Sequence, residues 1–230
     1  DVSSRYSRRG PSEYGRIYEY IRTMAAARSG NYLVFFPSYA FMQGVLEAAG
    51  EEGELPFRIQ MQSSGMREEE REEFLAAFSR TAPGETLVGF CVMGGIFSEG
   101  IDLVGERLIG AAIVGTGIPQ VCTEREILRQ FYEDAGKDGF DFAYRYPGMN
   151  KVLQAAGRVI RTARDEGVIV LLDDRFLTKG TAVLFPREWD DCVITDRRRF
   201  GAQLADFWSG RDSMRIQEDA DHADDQERDT

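Results

Sequence analysis

The stretch Gln154-Ala155-Ala156-Gly157-Arg158-Val159-Ile160-Arg161 carries the side chains best suited to phosphate chemistry. Read at helical spacing, Gln154, Gly157, Arg158 and Arg161 fall at i, i+3, i+4 and i+7, on one face. Val152, Leu153, Ala156, Val159 and Ile160 fall on the opposite face. No acid intervenes between Lys151 and Arg164. Guanidinium is always charged and forked, so it suits the oxygens of a transferring phosphoryl group. Gly157 would let a ligand come close to the backbone. The pattern reads as an arginine-bearing helix offered to a nucleotide held elsewhere. A solvated basic face is the plainer alternative.

A second group is Phe97-Ser98-Glu99-Gly100-Ile101-Asp102-Leu103, in which Glu99 and Asp102 bracket Gly100. Paired carboxylates serve acid–base hydrolysis or a metal site. They equally serve to orient the arginines of the later helix. No histidine or third acid joins them locally, which argues against a metal. The third group is Phe35-Phe36-Pro37-Ser38-Tyr39, at the end of an apolar run. Phe36 reads as core and Ser38 as a helix N-cap. Ser38 and Tyr39, exposed at a loop, also have the chemistry to bond a phosphate or stack on a base.

What is missing is as informative. There is no G-x-x-x-x-G-K-[ST] cradle for phosphates and no Asp-Glu pair closing a strand. Gly94-Gly95 and Gly115-Thr116-Gly117 read as tight turns. If the chain handles ATP, it does so from the far side of the phosphates.

These groups sit on an alternation of strands and helices. Ser12 is expected to cap a helix from Glu13 to Ala27, with Tyr14, Ile17, Tyr18, Ile21 and Met24 at helical spacing. Residues 32–36, 57–61, 87–92, 108–114 and 167–172 read as strands, most of them continuous apolar runs of the kind buried on both faces of a parallel sheet. Residues 39–49, 67–79, 123–135, 148–163 and 196–209 read as the intervening helices, the last burying Phe200, Leu204, Phe207 and Trp208. The expected fold is α/β, a doubly wound and mostly parallel sheet with helices on both faces. Residues 1–30 are expected to form an entering linker and first helix, and 31–209 the domain proper. An acid-rich tail, 210–230, is expected to be disordered or a fraying helix end.

Composition sets the bounds. The chain has 230 residues and a net charge of −11. Acidity argues against a nucleic-acid binder in general. Here, however, residues 217–230 carry a net −6, leaving −5 on the body, and a groove can be basic on an acidic protein. Cys91, Cys122 and Cys192 lie far apart, with neither disulfide nor metal-ligand spacing, as expected of thiols in a reducing cytoplasm. No apolar run is long enough to cross a bilayer. The chain opens on Asp1 rather than Met, as a piece excised from a longer protein would.

The three groups occur in a recognisable order. Val34-Phe35-Phe36-Pro37-Ser38-Tyr39 resembles motif IV of superfamily 2 helicases of the Rad3/XPD and DinG type. Gly94-Gly95-Ile96-Phe97-Ser98-Glu99-Gly100-Ile101-Asp102 resembles their motif V. Gln154 to Arg161 resembles motif VI, down to the strand and Asp173-Asp174-Arg175-Phe176 beyond it. The resemblance implies the second RecA-like domain of a DNA helicase, moving 5′ to 3′ on single-stranded DNA. ATP would lie between this domain and a first RecA-like domain, absent here, that supplies the P-loop and the Mg²⁺ ligand. Arg161 would be the finger on the γ-phosphate and Arg158 a second contact, with Gln154 beside the phosphate or the attacking water. Glu99, Gly100, Asp102 and Gly157 would line the nucleotide; Ser38, Tyr39 and Ser98 would contact the DNA backbone. The family's iron–sulfur cluster, where present, is held by four cysteines of the first domain, and the three here do not substitute for them. A chain lacking the cradle should not hydrolyse ATP alone. The alternative is a non-catalytic nucleic-acid or partner-binding module built on a degenerate helicase domain.

Overall fold

The apolar run Asn31–Phe36 forms β1, and all six residues are buried. A strand so apolar on both faces needs cover on both, and it therefore takes the centre of the sheet. The computed structural model describes residues 1–50, 57–95, 97, 108–160 and 165–228, with 214–228 as backbone only. The other strands are β2 (Arg58–Met61), β3 (Leu87–Val92), β4 (Gly110–Val114) and β5 (Val168–Leu172). Their order is β2-β3-β1-β4-β5, and each pairing is parallel. This is the expected RecA-like α/β architecture.

Seven α-helices are described: α1 (Pro11–Ala27), α2 (Tyr39–Gly50), α3 (Glu68–Ser79), α4 (Thr123–Asp134), α5 (Tyr146–Ala156), α6 (Lys179–Ala182) and α7 (Arg197–Arg228). Side chains alternate across β1. Phe36 meets Phe41 of α2, with ring centroids 6.5 Å apart. Gly44 of α2 admits α1, since a Cβ there would lie 2.5 Å from the Tyr14 ring. Leu33 and Phe35 enter the opposite core, with Phe74 and Phe78 of α3 and Met149, Val152, Ala155 and Ala156 of α5. Gly89 of β3 leaves room for Phe78, whose ring would lie 2.6 Å from any Cβ.

Two helix boundaries differ from the sequence reading. Helix α1 starts at Pro11 with Gly10 as its N-cap, so Ser12 lies inside the first turn and does not cap it. Proline's fixed φ and missing N–H suit that first position. Helix α5 starts at Tyr146, directly after a π-helical turn over Asp141–Arg145, and stops at Ala156. Gly157 is its C-cap, with its N–H donating to the Leu153 carbonyl at 2.9 Å. The helix expected to run on to residue 163 therefore ends seven residues early.

The chain divides into two units, Asp1–Val193 and Ile194–Thr230. The second consists mainly of α7, whose backbone continues into the acid-rich stretch as far as Arg228.

Candidate nucleotide and nucleic-acid site

Because the strands are parallel, their carboxyl ends open on one edge, where ligands meet this class of sheet. Ser38 lies two residues beyond β1 and caps α2, its Oγ accepting the Phe41 N–H at 3.2 Å. Tyr39 is half-buried, and burial raises its phenol pKa, with Cys91 adding to the shift. Its hydroxyl donates to the Ser63 carbonyl at 3.3 Å and accepts from the Gln62 Nε2 at 2.9 Å. Gln62, just beyond β2, was not marked by the sequence reading. It is 4% exposed, and its Oε1 accepts the Val92 N–H at the end of β3 at 2.8 Å.

The chain then turns at Gly94, where φ is +73°. Lys151 of α5 lies across that turn, 3.1 Å from where a Gly94 Cβ would stand. At the β4 end, Gly117 and Gly148 let the loop and the start of α5 touch by backbone. A Cβ on Gly117 would lie 2.4 Å from the Gly148 carbonyl oxygen, and one on Gly148 would lie 2.7 Å from that of Thr116. Helix α5 thus begins at the carboxyl edge and descends the sheet. Its far end reaches the amino-terminal side of β4, where Val159 packs against Gly167, beside Ile109.

The structure therefore groups Ser38 and Tyr39 with Gln62, and places Gln154, Gly157 and Arg158 at the opposite end of α5 from Gly148. Gln154 and Gly157 are exposed and Arg158 is half-buried. The single helical face inferred for Gln154 to Arg161 does not persist, because Arg158 lies beyond the C-cap. Val152, Ala156 and Val159 are buried as expected, whereas Ile160, expected inward, is 41% exposed. Ser98, Glu99, Gly100, Asp102 and Arg161 lie outside the described residues.

A denser cluster follows β5. Asp173 is 5% exposed and accepts from the Ser4 N–H and Oγ at 2.8 and 2.7 Å. Arg175 donates to both Asp173 oxygens at 2.8 Å and to Ser4 Oγ at 2.7 Å. Burial pushes the Asp173 carboxyl up, but the hydrogen bonds and charge of Arg175 and the Ser4 amide outweigh it, bringing the pKa down to about 2. Ser3 Oγ donates to Asp174 at 2.9 Å, and the buried Glu13 is paired with Arg8 and Arg16. The first residues of the chain are thus fastened to the carboxyl edge beside β4 and β5. They are an anchored segment, where the sequence alone indicates a linker.

The donor set Gln154 and Arg158 fits an anion such as a triphosphate and does not fit a cation. Among the described residues no three His, Cys, Asp or Glu side chains are grouped to hold a metal ion. Nor is any described helix long and apolar enough to cross a membrane.

Comparison with known proteins places the chain in a family. Residues 21–192 match the family described as helicase C-terminal domain. The chain is 28% identical over 185 residues to the ATP-dependent DNA helicase XPD of Sulfolobus acidocaldarius, covering 76% of this chain and 30% of that protein. It is 33% identical over 161 residues to the human regulator of telomere elongation helicase 1, covering 63% of this chain and 13% of that one. A solved XPD helicase structure superposes with a TM-score of 0.64 at 28% identity, over 80% of this chain and 32% of the other. An apo XPD structure gives 0.62 at 27% identity, over 76% and 35%. The chain thus spans about a third or less of these relatives.

Proposed function

This chain belongs to the helicase C-terminal domain family, related to the XPD/Rad3 group of superfamily 2 DNA helicases, and from that premise we propose that it is the second motor domain of an ATP-dependent DNA helicase. On this reading the protein is cytoplasmic, moves 5′ to 3′ along single-stranded DNA, and acts in DNA repair or replication. A first RecA-like domain of the same polypeptide carries the P-loop and the Mg²⁺ ligand. ATP, when bound between the two, supplies the phosphoanhydride to be cleaved. This chain orients and neutralises it: Arg161 faces the γ-phosphate, Arg158 and Gln154 meet neighbouring oxygens, and Glu99, Gly100, Asp102 and Gly157 line the nucleotide. Ser38, Tyr39 and Ser98 contact the DNA backbone.

The observation that carries this reading is the family match over residues 21–192, which spans all three motif-like segments in their expected order. An arginine supplied from outside the phosphate cradle is worth roughly 10³–10⁵ in turnover where it has been measured. The test compares ATP hydrolysis by this chain alone with that of the full-length protein, each with single-stranded DNA. DNA-stimulated turnover by the full-length protein, with none from the chain, is expected. Robust hydrolysis by the isolated chain would sink the proposal. DNA binding without any turnover in the full-length protein would instead favour a degenerate, non-catalytic module.

A further inference from the structure

Three loops at the carboxyl edge meet through one side chain. Strand β2 ends at Met61, while β3 continues to Val92. The Gln62 N–H still donates to the Phe90 carbonyl at 2.8 Å, but then the chain departs, and the next β3 donor, Val92 N–H, faces no strand. The Gln62 carboxamide takes the place of that missing backbone, accepting from Val92 at 2.8 Å. Its other end donates to the Tyr39 hydroxyl at 2.9 Å. Gly95 leaves space for it, since a Cβ there would lie 3.1 Å from Nε2. The amide is 4% exposed, so bulk water has little room to replace either bond.

We infer that Gln62 is a positioning residue that locks the Ser38–Tyr39 tip to the end of β3 at Val92, so that DNA held at the tip is registered at the Gly94–Gly95 turn that follows. The inference rests on the function proposed above. A side chain bonded at both ends transmits displacement, whereas an apolar one of similar size would only fill the space. Gln62 touches neither DNA nor nucleotide on this account. Its loss therefore affects the link between them more than the affinity for either.

The test uses the full-length protein and an oligothymidylate, measuring DNA affinity and the ratio of DNA-stimulated to basal ATP turnover. Gln62→Leu and Gln62→Met each remove both bonds, and Met keeps the unbranched length of the side chain. Both should lower the stimulation ratio about five- to tenfold, the worth of one buried hydrogen bond, while DNA affinity changes by less. Tyr39→Phe, which also removes a hydroxyl placed on the DNA backbone, should lower DNA affinity but add little to the loss of stimulation once Gln62 is replaced, because the two act as one unit in the link. If Gln62→Leu fails to fold, Gln62→Met carries the test. A wild-type ratio in Gln62→Met, or fully additive effects of Tyr39→Phe on that ratio, would overturn the inference while leaving the helicase reading intact. A wild-type protein with no DNA stimulation would overturn both.

Discussion

Arg175 grips Asp173 with two nitrogens, Nε to Oδ1 and Nη2 to Oδ2, each at 2.8 Å, and the same carboxylate holds Ser4 by its amide and hydroxyl. A buried charge so fully bonded is costly to strand. Asp173→Ala leaves the guanidinium and both Ser4 donors without their acceptor, and should cost about 3–5 kcal/mol of stability. Urea unfolding measures it; a loss below about 1 kcal/mol would mean that the cluster is not the anchor described.

The same carboxylate makes a pH prediction. Its folded pKa of about 2 lies below the ordinary aspartate value of 3.8. The stabilisation is therefore fully present above pH 4 and is lost as pH falls toward 2, amounting to roughly 2 kcal/mol. The stability difference between wild type and Asp173→Asn should shrink through that window. A difference that stays constant from pH 5 to 2 would contradict the assignment.

Two helical glycines make opposite predictions. A Cβ on Gly148 would collide with the Thr116 carbonyl at 2.7 Å and the Ile118 nitrogen at 2.9 Å, whereas one on Gly15 of α1 meets nothing within 4 Å. Gly148→Ala should destabilise by about 1–3 kcal/mol, and Gly15→Ala should stabilise by roughly 0.5–1 kcal/mol through helix propensity. Thermal melts of the two variants should move in opposite directions. Equal shifts would refute the close approach of α5 to the β4 loop.

The cysteines should separate by reactivity. Cys91 is fully buried in β3 and burial pushes its thiol pKa well up, whereas Cys122 and Cys192 are exposed. A thiol reagent should modify two groups in the folded protein and the third only on unfolding. Three groups reacting alike in the native state would contradict the packing of β3.

Much of this was legible from local patterning. The continuous apolar runs announced buried parallel strands, and Ser38 before an apolar helix announced its cap, because both signals reside in neighbouring residues. Gln62 was not legible. Its role arises from the register of β2 against β3, which leaves the Val92 N–H without a backbone acceptor on β2, and no local motif encodes that. The end of α5 was missed for a different reason. Val159 follows the buried spacing of Val152 and Ala156, so the apolar period continues although the backbone leaves the helix at Gly157. The groups assigned to Glu99, Asp102 and Arg161 rest on sequence order and family alone.

Those groups define the most direct measurement: steady-state ATP turnover of the full-length protein on single-stranded DNA, wild type against Arg161→Ala. If this domain supplies the finger to an ATP cradled by its neighbour, turnover should fall by roughly 10³-fold or more, with ATP affinity changing far less. An Arg161→Ala enzyme that turns over ATP at the wild-type rate would contradict that role.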